Sequence, residues 1–202
     1  MLVVNSFPRT GNRFLIFCIE RYLELADLPK TPAKLHDVEL MKNKEVNQIV
    51  IFRNPKDTLT SFSILKVLLK KKNTNLDVCI DEFIKWNKEF ASNIDHLYPL
   101  TFEQVTKHTF KSLDCVAKTL GINKKDNKKV LDLYNILKSK DGGWNNPKSV
   151  QQSSKIDPEY LEVLKEYENL SPSVIAELYD IEIYVRRLIK KRQNELGWNL
   201  PN

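Results

Sequence analysis

The 202-residue chain sets 32 lysines and arginines against 26 acidic residues, a net charge of +6, with 42% apolar residues. That balance suits a globular protein with a real core, and it permits an anionic ligand without specifying one. Glu20 and Arg21 interrupt the best apolar run and no basic signal region leads the chain, so neither a membrane span nor a leader is expected; the chain reads as one cytoplasmic domain over residues 1–202.

Leu2-Val3-Val4 predicts a short buried strand. It leads into Ser6-Phe7-Pro8-Arg9-Thr10-Gly11-Asn12-Arg13-Phe14 and then a helix over about 12–27. Strand, tight glycine turn and helix start make a phosphate cradle, because backbone N–H groups and the helix dipole both favour an anion there. Two guanidiniums, Arg9 and Arg13, add formal charge. The nucleoside-triphosphate loop G-x-x-x-x-G-K-[ST] is not met: Ser6, Asn12 and Arg13 stand where it needs Gly, Lys and Ser/Thr, and only Gly11 fits. The loop therefore reads as a phosphate holder without metal-assisted phosphoryl transfer, and no metal is expected.

Leu28-Pro29 ends the first helix, Thr31-Pro32 keeps the chain extended, and Ala33 to His36 forms a short strand leading into Asp37. Residues 48–52 are apolar on both faces, as a central parallel strand requires. Arg53 to Asp57 is a turn, with Asp57 the N-cap of a helix over 58–72, and a further helix spans 76–94. His96 to Phe102 is the next strand, ending in Glu103. Phe110, Leu113, Val116, Ala117 and Leu120 then recur at helical spacing up to a C-capping Gly121. A helix over 124–140, a long polar loop over 141–156, and helices over 158–168 and 172–196 complete the reading. The sum is an α/β protein, a short central parallel β-sheet flanked by helices.

Cys18, Cys79 and Cys115 fit neither a disulfide framework nor a zinc site, and reduced thiols are expected. Lys70-Lys71-Lys72 and Lys190-Lys191-Arg192 close helical segments, where cations suit the dipole. No DNA- or RNA-binding motif accompanies them, so nucleic acid is not an expected partner. Arg53 stands just past a buried strand, where open α/β sheets bind ligands, and the Ser61 hydroxyl one turn into the next helix reaches the same place. Taken alone, Arg53 reads equally as a surface ion-pair partner. Two arginine loops after two parallel strands favour paired phosphate sites.

These residues carry a resemblance. Ser6 to Phe14 resembles the 5′-phosphosulfate loop of sulfotransferases that use 3′-phosphoadenosine 5′-phosphosulfate (PAPS), written YPKSGTTW or SFPRSGNTW. Ile49-Val50-Ile51-Phe52-Arg53-Asn54-Pro55-Lys56-Asp57 with Ser61 is similar to their 3′-phosphate motif, RNPKD with a serine eight residues after the arginine. Leu100-Thr101-Phe102-Glu103-Gln104-Val105, with Leu120-Gly121-Ile122, is similar to their YEDL…FLG segment. The resemblance implies the P-loop-like sulfotransferase architecture and transfer of a sulfuryl group from PAPS to an unidentified hydroxyl or amine acceptor, with 3′,5′-ADP as product.

Residue by residue, the resemblance puts Arg9 where the family's catalytic lysine stands. Thr10, Gly11, Asn12 and Arg13 would hold the 5′-phosphate, and Phe14 would stack on adenine. Arg53 and Ser61 would bind the 3′-phosphate, with Phe102 replacing a tyrosine beside the nucleotide. Lys34-Leu35-His36 resembles the K-T-H segment, which makes His36 the general base with Lys34 beside it; Asp37 and Glu39 are the carboxylate alternatives. His96 and His108 read as structural. The family's R-K-G-x-x-G-D-W-K-N is replaced by Ser139-Lys140-Asp141-Gly142-Gly143-Trp144-Asn145-Asn146, which lacks the arginine and leaves Lys140 or Lys148 in its stead. That departure keeps a second reading open, a nucleotide-binding or interaction protein that retains the fold without turnover. A small kinase is a third reading, which the absent Mg²⁺-binding hydroxyl disfavours.

Overall fold

In a computed structural model, residues 1–25, 37–68, 75–125 and 158–201 are described. The chain runs β1 (Leu2–Val4), α1 (Asn12–Tyr22), α2 (Val38–Met41), β2 (Asn47–Phe52), α3 (Pro55–Leu68), α4 (Leu76–Asn93), a 3₁₀ turn (Ile94–His96), β3 (Tyr98–Thr101), α5 (Phe102–Lys107), α6 (Thr109–Leu120), α7 (Pro158–Glu168) and α8 (Pro172–Glu195). The three strands form a parallel sheet in the order β1-β2-β3. Val4 pairs with Ile49, and Phe52 with Thr101, so β2 is central as its apolar sequence predicts.

Side chains alternate across a strand, and that alternation divides the core into two. Val50 and Phe52 point to one face, where Phe7, Leu59, Phe62, Phe83, Trp86 and Phe90 pack with Leu178, Val185 and Ile189 of α8. Ile49 and Ile51 point to the other, where Leu15 and Ile19 of α1 meet Leu113 and Val116 of α6, with Trp198 and Leu200 closing over them. Helices thus cover both faces, and the turns at the carboxyl ends of the strands stay at the sheet rim. Among the described residues no helix is long and apolar enough to cross a membrane, and the three cysteines are free.

Three boundaries depart from the sequence reading. Helix α1 stops at Tyr22, because Leu23 turns extended and forms an antiparallel bridge with Lys124. The Lys125 N–H donates to Tyr22 O at 2.9 Å and the Glu24 N–H to Asn123 O at 2.9 Å, so the backbone leaves the helix for another partner. Asp57 is not the N-cap of α3. The helix starts at Pro55, a residue preorganised for a first turn, and Asn54 caps it by accepting the Asp57 N–H at 2.9 Å. Strand β3 ends at Thr101, since Thr101 and Gln104 form a reciprocal capping box that starts α5 at Phe102; His96 lies in the 3₁₀ turn before the strand. The expected strand at 33–36, most of the helix over 124–140, the loop over 141–156 and the Lys70-Lys71-Lys72 patch lie outside the described residues.

Candidate functional site

The loop between β1 and α1 is pinned to the sheet at its start. Ser6 Oγ accepts the Ile51 N–H at 2.6 Å, and Asn12 Nδ2 donates to Ser6 O at 3.3 Å. The Thr10 hydroxyl lies 2.6 Å from Phe7 O and 3.1 Å from Asn12 Oδ1. Thr10 and Asn12 therefore brace the loop with their side chains. Gly11 is the N-cap of α1 with φ 97, and no side chain caps that helix. A Cβ on Gly11 would stand 3.3 Å from two ring carbons of Phe102, so glycine is needed for both backbone and space.

The two arginine loops meet. Arg9 Nε donates to Ser61 Oγ at 2.8 Å, joining the first turn to α3. Arg53 Nη1 donates to Arg9 O at 3.1 Å, and Nη2 lies 3.3 Å from Asp57 Oδ2. The Arg53 guanidinium sits 4.4 Å above the Phe102 ring, a cation–π contact. Arg9, Gly11, Arg53, Ser61 and Phe102, spread over more than ninety positions of sequence, are thus one cluster at the carboxyl rim of the sheet. Phe14 is partly buried and packs on the α1-side core. Arg13 is the second residue of α1, and its side chain falls outside the described set, as do Lys34, His36, Lys140 and Lys148.

The carboxylate alternatives are described. Asp37 Oδ1 accepts the Leu40 N–H at 3.1 Å as N-cap of α2, and its carbonyl accepts from Asn5 Nδ2 at 3.0 Å. Glu39 is exposed and pairs with Lys42 at 3.0 Å. His96 Nε2 is 2.6 Å from Met41 O, a structural contact.

Two participants escaped the sequence reading. Asp57 faces Arg53 rather than capping α3. Arg186 of α8 bonds Glu182 at 2.8 Å and Glu103 at 3.2 Å, with its guanidinium 5.5 Å from the Phe52 ring. Its i,i+4 spacing from Glu182 was visible, whereas Glu103 lies 83 residues away. Burial alone would raise the Glu103 carboxyl, but its own backbone N–H and the Arg186 guanidinium outweigh burial and hold it below the usual range.

The arrangement offers an uncapped helix N-terminus, two guanidiniums and a hydroxyl within one short span, chemistry suited to a ligand bearing two anionic groups. The architecture is the α/β fold of a sulfotransferase. It matches the crystal structure of mouse sulfotransferase SULT7A1 complexed with PAP, with TM-score 0.54 over 97% of this chain and 87% of that one, at 17% sequence identity. No protein-family model matches the chain, and no curated protein matches it by sequence.

Proposed function

We propose that the chain is a single-domain cytoplasmic sulfotransferase, transferring the sulfuryl group of PAPS to a hydroxyl or amine acceptor and releasing 3′,5′-ADP. The observation that carries this reading is the junction of the two loops, Arg9 on Ser61 at 2.8 Å with Arg53 against the Arg9 carbonyl. The 5′-phosphosulfate lies in the β1–α1 loop, against the first turn of α1, with Arg9, Thr10, Gly11, Asn12 and Arg13 around it. The 3′-phosphate meets Arg53 and Ser61. Of the five N–H donors of a guanidinium, Arg53 uses one on Arg9 O and turns one to Asp57, and its Nε is buried without a partner among the described residues. The remaining terminal donors can receive an anion. Phe14 and Phe102 line the nucleotide, and Lys140 takes the place of the absent arginine.

Sulfuryl transfer builds negative charge on the oxygen that bridges sulfur and phosphorus. A cation fixed there stabilises the transition state more than the ground state. Arg9 serves as this clamp and not as a general acid, because a guanidinium keeps its proton in the working range. His36, with Lys34 beside it, takes the acceptor proton.

The test is thermal melting with 3′,5′-ADP, 5′-AMP and ATP-Mg²⁺. A ligand bound only by the folded state adds about 2.7 kcal/mol at a hundredfold excess over Kd. The largest shift is expected from 3′,5′-ADP without Mg²⁺; an equal or larger shift from ATP-Mg²⁺ would favour a kinase.

The second reading, a nucleotide-binding or interaction protein without turnover, draws on the arginine missing from residues 139–146. Product formation from a labelled sulfuryl donor separates it from the first.

A further inference from the structure

Two residues of the β1–α1 loop have left-handed backbone. At Gly11 that conformation costs little, whereas at Arg9 (φ 64) a Cβ is present and the conformation is strained. A left-handed arginine persists where its surroundings over-determine it. At Arg9 the surroundings come from the turn after β2 and from α3. Its carbonyl accepts from Arg53 Nη1 at 3.1 Å and its guanidinium donates to Ser61 at 2.8 Å. Arg53 is itself held by Asp57 at 3.3 Å and by the face of Phe102 at 4.4 Å, and the Phe102 ring fills the space beside Gly11.

We propose that Arg53 is a positioning residue for the β1–α1 loop: its bond to the Arg9 carbonyl holds the left-handed turn that lays the Arg9 guanidinium on Ser61. The loop after β2 thereby sets the pose of the cradle before any ligand arrives. The consequence for nucleotides rests on the function proposed above; the structural part does not. A nucleotide with no 3′-phosphate still depends on Arg53, through the loop it touches. Lysine cannot replace arginine here. A single ammonium nitrogen cannot lie flat on Phe102 while serving the Arg9 carbonyl and the Asp57 carboxylate on separate nitrogens.

The test is a double-mutant cycle read with 5′-AMP, which lacks the 3′-phosphate, on wild type, Arg53→Lys, Arg9→Gly and the double variant. Arg53→Lys keeps the charge and is expected to weaken 5′-AMP about tenfold. With Arg9→Gly already present, glycine adopts φ 64 unaided, and the same change should cost less than about twofold. Equal losses in both backgrounds overturn the proposal, since Arg53 would then act on the nucleotide directly. A ligand-free measurement runs beside the cycle. The backbone carbon shifts of Arg9, which report left-handed geometry, should move out of that range in Arg53→Lys while β1 and β2 amide shifts stay in place. Unchanged Arg9 shifts overturn the proposal even if 5′-AMP does not bind, and absence of binding by both 5′-AMP and 3′,5′-ADP separately fails the nucleotide reading.

Discussion

Arg9 concentrates charge, strain and reach in one residue. Its guanidinium is held 2.8 Å from Ser61 Oγ, so its position is set by the fold; the rate effect that follows rests on the function proposed above. Preorganised charge of this kind is worth about 10²–10³ in rate when removed from a developing oxyanion. Arg9→Ala is therefore expected to lower kcat for turnover of labelled PAPS about a hundredfold or more, with a smaller loss of donor affinity. Arg9→Lys should recover part of the rate, because a cation returns to that point, though without the planar fork that reaches Ser61. Steady-state kinetics with 3′,5′-ADP affinity taken in parallel separates the two quantities. Full rate in Arg9→Ala would remove Arg9 from the chemistry.

The start of α1 is a junction of two loops with the first residue of α5 rather than a helix end in solvent. Gly11 turns with φ 97 and has the Phe102 ring where a side chain would go, and Gly197 turns with φ 70 into open space. The pair makes a controlled comparison. Gly197→Ala meets backbone strain alone, about 1–3 kcal/mol. Gly11→Ala meets similar strain and must also displace Phe102, on which Arg53 stacks. A chain of this size loses roughly 2–4 °C of Tm per kcal/mol. Both variants should melt several degrees lower, Gly11→Ala by more. Only Gly11→Ala should also lose 3′,5′-ADP binding, as titration calorimetry would register. Equal affinity in the two would mean that the cradle does not hold the ligand.

At the scale of the molecule, α8 locks the sheet rim from behind. Gln193 Nε2 donates to Pro99 O at 2.9 Å and to Gln104 Oε1 at 2.9 Å, while Gln104 Nε2 reaches Pro201 O at 3.0 Å. Arg186 extends the lock to Glu103, the residue after Phe102, at 3.2 Å. The Glu103 carboxyl is held below its ordinary range in the folded state. Its contribution to stability is therefore complete above the unfolded carboxylate range, near ~4.3, and is lost as pH falls through the lower folded value. Urea unfolding from about pH 6 down to pH 3 should show wild type losing more stability than Glu103→Gln over that window. Parallel curves would mean that the Glu103–Arg186 pair does not couple α8 to the rim.

Local chemistry was legible in the sequence. Continuous apolar runs marked β1 and β2, helical spacing marked α4 and α6, and Gly121, with φ 63, closed α6 as its type requires. The fold class and the two arginine-bearing loops follow from such patterns, because period and turn chemistry act over a few residues. Boundaries set by distant partners did not follow. Nothing near Tyr22 announces that Lys124 will take the backbone at Leu23. The junction of Arg9 with Ser61, 52 residues apart, and of Arg186 with Glu103, 83 residues apart, exists only because parallel strands bring their carboxyl ends to one rim and α8 crosses behind it. Residue types and spacing determined which groups can hold an anion. Strand order and helix packing decided that they converge, since convergence depends on long-range contacts that no local pattern encodes.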